Sequence, residues 1–194
     1  MNNNERRDFL GSIQIEKREG QEESRTISGY AVVFDKWSED FGSTDWGFKE
    51  KVSRDAFQNT DLSSVIATFN HNFDNVLART DSDSLTLTID DMGMKYSFEA
   101  PNTTAGNDLL ENVRNGNVKG SSFMFTVDED TWTQRSGSID EREITKVGKL
   151  MELGPVTVPA YPDTTAAKRS YEQTKTSDFD SEYVYRQNRI KILK

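Results

Sequence analysis

Alternation of apolar and polar residues dominates the middle of the chain and predicts β-strands. The segment SLTLTID over 84–90 alternates Leu and Ile with Thr, and MKYSFEA over 94–100 alternates Met, Tyr and Phe with polar neighbours. Between them lies DDMG, whose composition is typical of a turn, with Gly93 near its end. The pattern therefore predicts one antiparallel hairpin over 84–100.

Further segments carry the same kind of pattern and bring the total to about eight strands. They are 12–19, 25–34, 63–70, 121–130, 141–150 and 152–160. The segment AGNDLLENVRNG has instead the spacing of a short helix, with Thr103 or Thr104 as its cap and Gly116 at its end. A weaker helix is predicted over 53–59, with Ser53 as its cap. Mostly strands with a few helices favour a mainly β (α+β) fold, a closed or nearly closed antiparallel barrel of about seven to eight strands with helices outside it.

Length and polarity set the domain organisation. The 194 residues suffice for one domain with one sizeable core, and the mean hydropathy of -0.77 places part of the chain outside that core. Residues 1–10 are polar and aperiodic, which predicts a disordered N-terminus. Residues 170–194 form a polar and basic tail, which we expect to be mobile and open to proteolysis. The folded domain is then expected over 11–169.

Charge and residue inventory exclude several classes of function. A net charge of -9 argues against a general nucleic-acid binder, and the short basic run at 186–194 is best explained as solvated. The absence of cysteine excludes disulfides, thiolate zinc sites and cysteine nucleophiles. No apolar run approaches the roughly 20 residues of a membrane helix, and the N-terminus lacks signal-peptide order. Acidic loops are explained more simply as turns than as metal sites, so no metal or cofactor is expected.

The single histidine, His71, is the chain's main candidate for a catalytic base. A lone histidine more often has a structural role, but this one directly follows an apolar strand, where it would be both held and accessible. Its ordinary pKa, about 6.5, leaves the ring mostly neutral at pH 7 and able to accept a proton. Ser121 and Ser122 open another apolar strand, and either hydroxyl would complete a Ser-His pair.

Glu152 is the candidate third member of such a constellation. It interrupts the apolar strand LMELGPVTV, where an unpaired carboxylate would be costly to bury and so requires a partner. An exposed position on an edge strand explains the same pattern equally well.

Several blocks of the sequence, in order, resemble one known family. The blocks are GYAVVFDKWSED, FKEKVSRDAF, FNHNFDNVLARTDSDSLTLTIDDMGMKYSFEAP, NTTAGNDLLENVRNGNVKGSSFMF and LMELGPVTVPAYPDTTAAKR. Together they cover about residues 25–169 and resemble the prohead proteases of tailed bacteriophages. These are capsid-maturation serine proteases with a fold similar to that of herpesvirus assemblin.

The resemblance implies a function and a role for each candidate residue. His71 would be the general base, and Ser122 rather than Ser121 the nucleophile, because the family serine follows the glycine by two residues. Glu152 matches the acidic position of the last block and would be the third member, where assemblin-like enzymes use a second histidine. The substrates would be the major capsid protein, a scaffold protein or segment, and the chain itself, cut in the procapsid in the host cytoplasm.

Three positions depart from the family pattern. Met124 stands where Gly is usual, Ala78 replaces the Gly of an L-G-R element, and Gly154-Pro155 replaces Ser followed by Leu or Val. Met124 bears most directly on function, because its side chain would narrow the space beside the nucleophile.

Two alternatives stay open at the level of sequence. One is a catalytically inactive scaffold or capsid-associated module on the same fold. The other is an esterase or amidase, which would require a deep enclosed pocket for a small substrate. A homo-oligomer is compatible with each of these interpretations, whereas nucleic acid and membrane are not expected as partners.

Overall fold

The computed structural model describes residues 4–9, 13–16, 24–43, 46–135, 137–157 and 171–172. Its strands are β1 (Asn4–Phe9), β2 (Gln14–Ile15), β3 (Thr26–Val33), β4 (Phe41–Ser43), β5 (Trp46–Val52), β6 (Ile66–Phe69), β7 (Asn72–Arg79), β8 (Leu85–Ile89), β9 (Gly93–Glu99), β10 (Gly120–Thr133) and β11 (Asp140–Val156). The helix α1 spans Thr104–Arg114.

The strands form two sheets. The large sheet has the order β1-β10-β11-β5-β4, and β6 joins it by pairing with both β11 and β7. The small sheet has the order β2-β3-β9-β8. At the centre of the large sheet, β10 and β11 form a long antiparallel pair. The opposite side of β11 pairs in parallel with β5 near its start and with β6 near its end.

The expectation of a closed or nearly closed antiparallel barrel of seven to eight strands is wrong. Among the described residues, no strand of one sheet pairs with a strand of the other, so both sheets stay open. The large sheet is also mixed rather than antiparallel. Closure would need a continuous hydrogen-bonded ladder around the fold, whereas here the two sheets meet through side chains. The fold remains mainly β, as expected.

Aromatic and aliphatic side chains from both sheets form one core. Ile27 and Met94 of the small sheet are fully buried in the same cluster as Phe125 of the large sheet. The alternation of β10 directs Phe123 and Phe125 to this core, where their rings stack at 4.6 Å between centroids. Residues at the even positions of β10 consequently face the other side of the large sheet.

Several predicted elements are confirmed. The hairpin over 84–100 forms as β8 and β9, with an antiparallel register that sets Leu85 opposite Phe98. The helix begins after Thr103, whose hydroxyl oxygen accepts a hydrogen bond from the Gly106 amide as an N-cap.

Other predicted elements differ from the structure. The segments 141–150 and 152–160 were expected as two strands, but β11 runs without interruption to Val156, and residues 158–160 lie outside the described part. The weak helix over 53–59 is a series of turns, because its amides bond to carbonyls three residues back and the chain then bends. Within the described residues, the strand expected over 12–19 is reduced to Gln14–Ile15.

The N-terminus requires a correction as well. Residues 1–10 were expected to be disordered, yet Asn4–Phe9 form β1 and pair with β10 over their whole length. The reason is electrostatic: Glu5 and Arg7 are buried and ion-paired, which hydropathy does not register. Of the tail predicted over 170–194, the structure describes only residues 171 and 172.

Candidate active site

His71 lies in the tight turn of the hairpin formed by β6 and β7. Asn70 and His71 both have positive φ, 55° and 57°, as a two-residue hairpin turn of this hand requires. The Asn70 amide donates to the Pro155 carbonyl at 3.0 Å, and its side-chain oxygen accepts from the Thr157 amide at 2.8 Å. These bonds hold the turn against the end of β11 and fix where the imidazole can point.

The structure brings the three sequence-predicted residues together. His71 Nε2 lies 2.7 Å from Ser122 Oγ, and His71 Nδ1 lies 2.7 Å from Glu152 Oε2. The other carboxylate oxygen of Glu152 accepts a hydrogen bond of 2.6 Å from the Thr68 hydroxyl. We call His71, Ser122, Glu152 and Thr68 the triad cluster.

The register of three strands produces this arrangement. In the β10–β11 pair, Ser122 lies opposite Gly154 and Met124 opposite Glu152, so both polar groups face the same side of the sheet. The parallel pairing of β6 with β11 sets Ile66 beside Glu152. The carboxylate therefore lies between β10, which carries Ser122, and β6, which leads into the histidine turn.

Gly154 explains one of the departures from the family pattern. A Cβ atom at this position would lie 2.0 Å from the Thr68 carbonyl oxygen, well inside van der Waals contact. A glycine is therefore needed for β6 to approach β11 as closely as it does.

Of the two adjacent serines, only Ser122 reaches the histidine. Ser121 is fully buried on the opposite face of β10, where its hydroxyl lies 2.8 Å from the Tyr96 hydroxyl between the sheets. This contact satisfies both polar groups within the core. The opposite orientations follow from the two-residue period of the strand.

The environment of His71 favours its protonated form. Burial lowers the pKa of the ring, but the nearby Asp8 carboxylate and the hydrogen bond to Glu152 with its charge outweigh burial, and the net pKa is raised above its ordinary value of 6.5. Arg6 opposes this shift with its own positive charge. A proton on the ring is thus held by carboxylates on two sides.

Sequence reasoning missed the contribution of β1. The Ser122 hydroxyl lies 3.0 Å from the Arg7 carbonyl oxygen, and Asp8 Oδ1 lies 3.7 Å from His71 Nε2. Burial raises the pKa of Asp8, but the proximity of His71 and Ser122 and the charge of Arg6 outweigh burial, and the net pKa is lowered. The alternation of Glu5 and Arg7 with Arg6 and Asp8 was the available signal, but it is polar on both faces and hydropathy does not detect it.

Sequence reasoning also missed a second buried polar group beside β1, which we call the ionic cluster: Glu5, Arg7, Glu50, Arg142 and Asp130. Arg142, whose side chain is 1% exposed, donates to both carboxylate oxygens of Glu5 at 2.8 Å and to Asp130 at 2.7 Å. Arg7 pairs with Glu50 and Glu5. The two clusters lie on opposite faces of β1 and β10, because Arg7 pairs with Phe123 and Asp8 with Ser122 in the register.

Two negative findings concern the described residues alone. In that part of the chain, no group of three or more His, Cys, Asp or Glu side chains is placed to hold a metal ion. The helical segments described there are also too short or too polar to cross a membrane.

Comparison with known proteins gives one informative result. The family model described as caudovirus prohead serine protease matches residues 11–177, which is most of the chain. Neither curated proteins nor solved structures give a significant match.

Proposed function

The chain belongs to the caudovirus prohead serine protease family, and from that premise we propose that it is a serine endopeptidase that cleaves scaffold or capsid-protein segments during procapsid maturation. The observation that carries the proposal is the position of His71, with one ring nitrogen 2.7 Å from Ser122 Oγ and the other 2.7 Å from Glu152. A base within hydrogen-bond reach of a hydroxyl, and itself oriented by a carboxylate, is the arrangement that activates serine.

Family membership sets the biological context. A prohead protease acts on capsid maturation within the procapsid, inside the host cell. Within that context, we propose the major capsid protein and a scaffold protein or segment as partners, and the host cytoplasm as the compartment. Cleavage of the chain by itself is part of the same proposal.

The proposed reaction begins with attack by Ser122. Its proton passes to His71 Nε2 as Oγ bonds to the carbonyl carbon of the scissile peptide, and the imidazolium then returns this proton to the leaving amine. A water molecule repeats the sequence on the acyl-enzyme: it gives a proton to His71, its oxygen bonds to the acyl carbon, and Ser122 leaves with the proton restored. The product is a free carboxylic acid.

Glu152 orients and stabilises the imidazolium in this mechanism. One of its oxygens accepts a hydrogen bond from Nδ1–H, which leaves the Nε2 lone pair directed at Ser122. The Thr68 hydroxyl holds the other oxygen at 2.6 Å, so that Thr68 acts as a positioning residue.

An inactive capsid-associated module is the second candidate function. The observation in its favour is that Ser122 is 0% exposed beneath β1, so a substrate has no direct access to the hydroxyl. In that case, the triad cluster would serve only to join β6, β10 and β11.

Variants of Ser122 and His71, with Ser121 as the control position, separate these functions. We expect Ser122→Ala and His71→Ala to lower cleavage of co-expressed capsid or scaffold protein by roughly a million-fold, to below detection. Ser121→Ala is the matched control and should keep most of the activity, since its hydroxyl faces Tyr96. Equal cleavage by wild type and Ser122→Ala would contradict the proposal.

A fluorophosphonate probe provides a readout that needs no natural substrate. The probe should label wild type on the peptide that contains Ser122, as located by mass spectrometry, and should not label His71→Ala. The same spectra report shortened forms of the chain, which self-cleavage predicts in wild type and not in Ser122→Ala. Labelling of neither protein, together with no cleavage, would support the inactive module.

A further inference from the structure

The N-terminal strand β1 covers the outer edge of the strand that carries Ser122. It pairs antiparallel with β10 from Asn4 opposite Thr126 to Phe9 opposite Ser121, while β11 occupies the other edge. The match to the protease family begins at residue 11, so β1 lies outside the region that defines the family. An edge strand that carries the candidate nucleophile is thus closed by a segment from outside the family region.

The backbone of β1 passes the candidate nucleophile as a bound peptide would. Extended peptides commonly bind to proteins by adding a strand to a sheet edge, where main-chain hydrogen bonds supply affinity. Here the Arg7 carbonyl oxygen is 3.0 Å from Ser122 Oγ, and His71 Nε2 is 2.7 Å from the same atom. The Arg7 carbonyl, which belongs to the peptide bond between Arg7 and Asp8, is therefore in direct contact with the triad cluster.

Two side chains of β1 contact groups of opposite charge. Arg7 reaches Glu50, and its guanidinium lies 5.4 Å from the Phe41 ring centroid and 5.8 Å from that of Phe125. Glu5, two residues earlier on the same face, receives both outer nitrogens of Arg142 at 2.8 Å. These two contacts define one pocket for a basic side chain and one for an acidic side chain.

We propose that this edge of β10 is the peptide-binding surface of the protein and that β1 is its internal occupant, which must leave before a substrate enters. The inference rests on the proposed function. It specifies the substrate as an extended segment with a basic residue before the scissile bond and an acidic residue two positions earlier. The pocket for the acidic side chain is retained when β1 leaves, because its Arg142 still pairs with Asp130 and Glu50.

The docked strand also places His71 and Ser122 in an arrangement that does not favour proton transfer between them. The charged groups that face His71 are Arg6 and Asp8 from β1 and Glu152 from β11, and Ser122 faces it from β10. Asp8 favours the protonated ring, whose Nε2–H then donates to Ser122 Oγ, and the serine proton is free to point to the Arg7 carbonyl. In that arrangement the ring has no lone pair to accept the serine proton, and release of β1 removes both constraints.

A disulfide lock tests whether β1 must leave. The chain has no cysteine, and Arg6 and Met124 are direct partners in the register, so Arg6→Cys with Met124→Cys joins β1 to β10 by the only disulfide present. We expect the oxidised protein to lose about tenfold or more of both peptide cleavage and fluorophosphonate labelling, and a reductant to restore both. The control pair, Thr131→Cys with Glu143→Cys, joins β10 to β11 and should show no such dependence.

The outcomes distinguish this inference from the proposed function. Wild type that is neither labelled nor active counts against the proposed function. A reduced lock variant that is active, with an oxidised form equally active, overturns the inference alone, because β1 would then be a permanent part of the sheet.

A pair of peptides tests the pockets on wild type, and it also covers a lock variant that fails to fold. The first peptide has the sequence of residues 4–10, and the second exchanges the positions of Glu5 and Arg7. We expect kcat/KM for the second peptide to be lower by about a hundredfold, with cleavage of the first after that arginine. Equal values, or no cleavage of the first peptide by protein that the probe labels, would overturn the assignment.

Discussion

The ionic cluster and the triad cluster both place polar side chains in the interior beside β1, yet they are built from different groups. The ionic cluster joins two guanidinium groups with three carboxylates, and most of its side chains are less than a tenth exposed. The triad cluster joins one imidazole, one carboxylate and two hydroxyls, and its histidine side chain is 10% exposed. Each group in both clusters has a polar partner, as burial requires.

The two clusters differ in whether their groups can gain or lose a proton near neutral pH. In the ionic cluster, burial disfavours the charges, but the ion pairs prevail: the pKa of Glu5 is lowered and those of Arg7 and Arg142 are raised. All three groups therefore stay charged near neutral pH. In the triad cluster, burial lowers the pKa of His71, but the carboxylates beside the ring raise it above its ordinary value of 6.5, and an imidazole can both take up and release a proton. Opposite permanent charges hold strands together, while a titratable ring between two acceptors is suited to proton transfer.

Among the changes that compare the two clusters, removal of the charge on Glu152 should have the largest effect on activity. We expect Glu152→Gln to lower kcat/KM by about a thousandfold to ten-thousandfold, because an amide no longer fixes the required tautomer of His71 or stabilises the imidazolium. The loss should be smaller than that of Ser122→Ala. Steady-state kinetics measure the effect, and thermal unfolding checks that the fold is retained. An unchanged rate would assign the orienting role to another group.

Removal of one charge from the ionic cluster should instead lower stability. Arg142→Met leaves Glu5 and Glu50 with Arg7 as their one remaining cation in the ionic cluster, and we expect a loss of about 3–5 kcal/mol in the free energy of unfolding. Arg135→Met is the control, since Arg135 is 52% exposed and ion pairs at the surface contribute little to stability. Urea denaturation of both variants measures the difference. Equal losses would show that the ionic cluster is no more important than a surface pair.

These contrasts show what the sequence could predict. Period-two alternation located β8, β9 and β10, because each of these strands has one apolar face in the core. The same alternation could not locate β1, whose buried face is charged and is stable only beside Glu50 and Arg142. A pairing between residues so distant along the chain leaves no local pattern.

The site was predictable to a different degree. The inventory reduced the search to one histidine, and the family resemblance selected Ser122 and Glu152, which the structure places on either side of that histidine. The prediction of a barrel was wrong because the number of strands does not determine whether the edge strands pair with each other. The approach of Asp8 to the triad cluster was also beyond the sequence, since it depends on the register between β1 and β10.

The smallest expected effect is a shift in the pH dependence of hydrolysis. Only neutral His71 accepts the serine proton, so with its raised pKa we expect kcat/KM to fall as pH decreases through a midpoint above 6.5, by about tenfold per pH unit below it. The free energy of unfolding depends on pH in the opposite direction. The contribution of His71 to it is complete below the pKa of the unfolded state and is lost as pH rises through the pKa of the folded state.

Asp8 provides the variant that separates β1 from the rest of the site. Asp8→Asn removes one carboxylate beside Nε2, and we expect the midpoint of the pH profile to move down because the protonated ring loses a partner. Asp81→Asn is the control, since Asp81 pairs with Arg79 at the surface and should leave the midpoint unchanged. If Asp8→Asn leaves the midpoint unchanged, then β1 is already displaced in the form of the protein that binds substrate. Glu152 alone would set the pKa of His71 in that form.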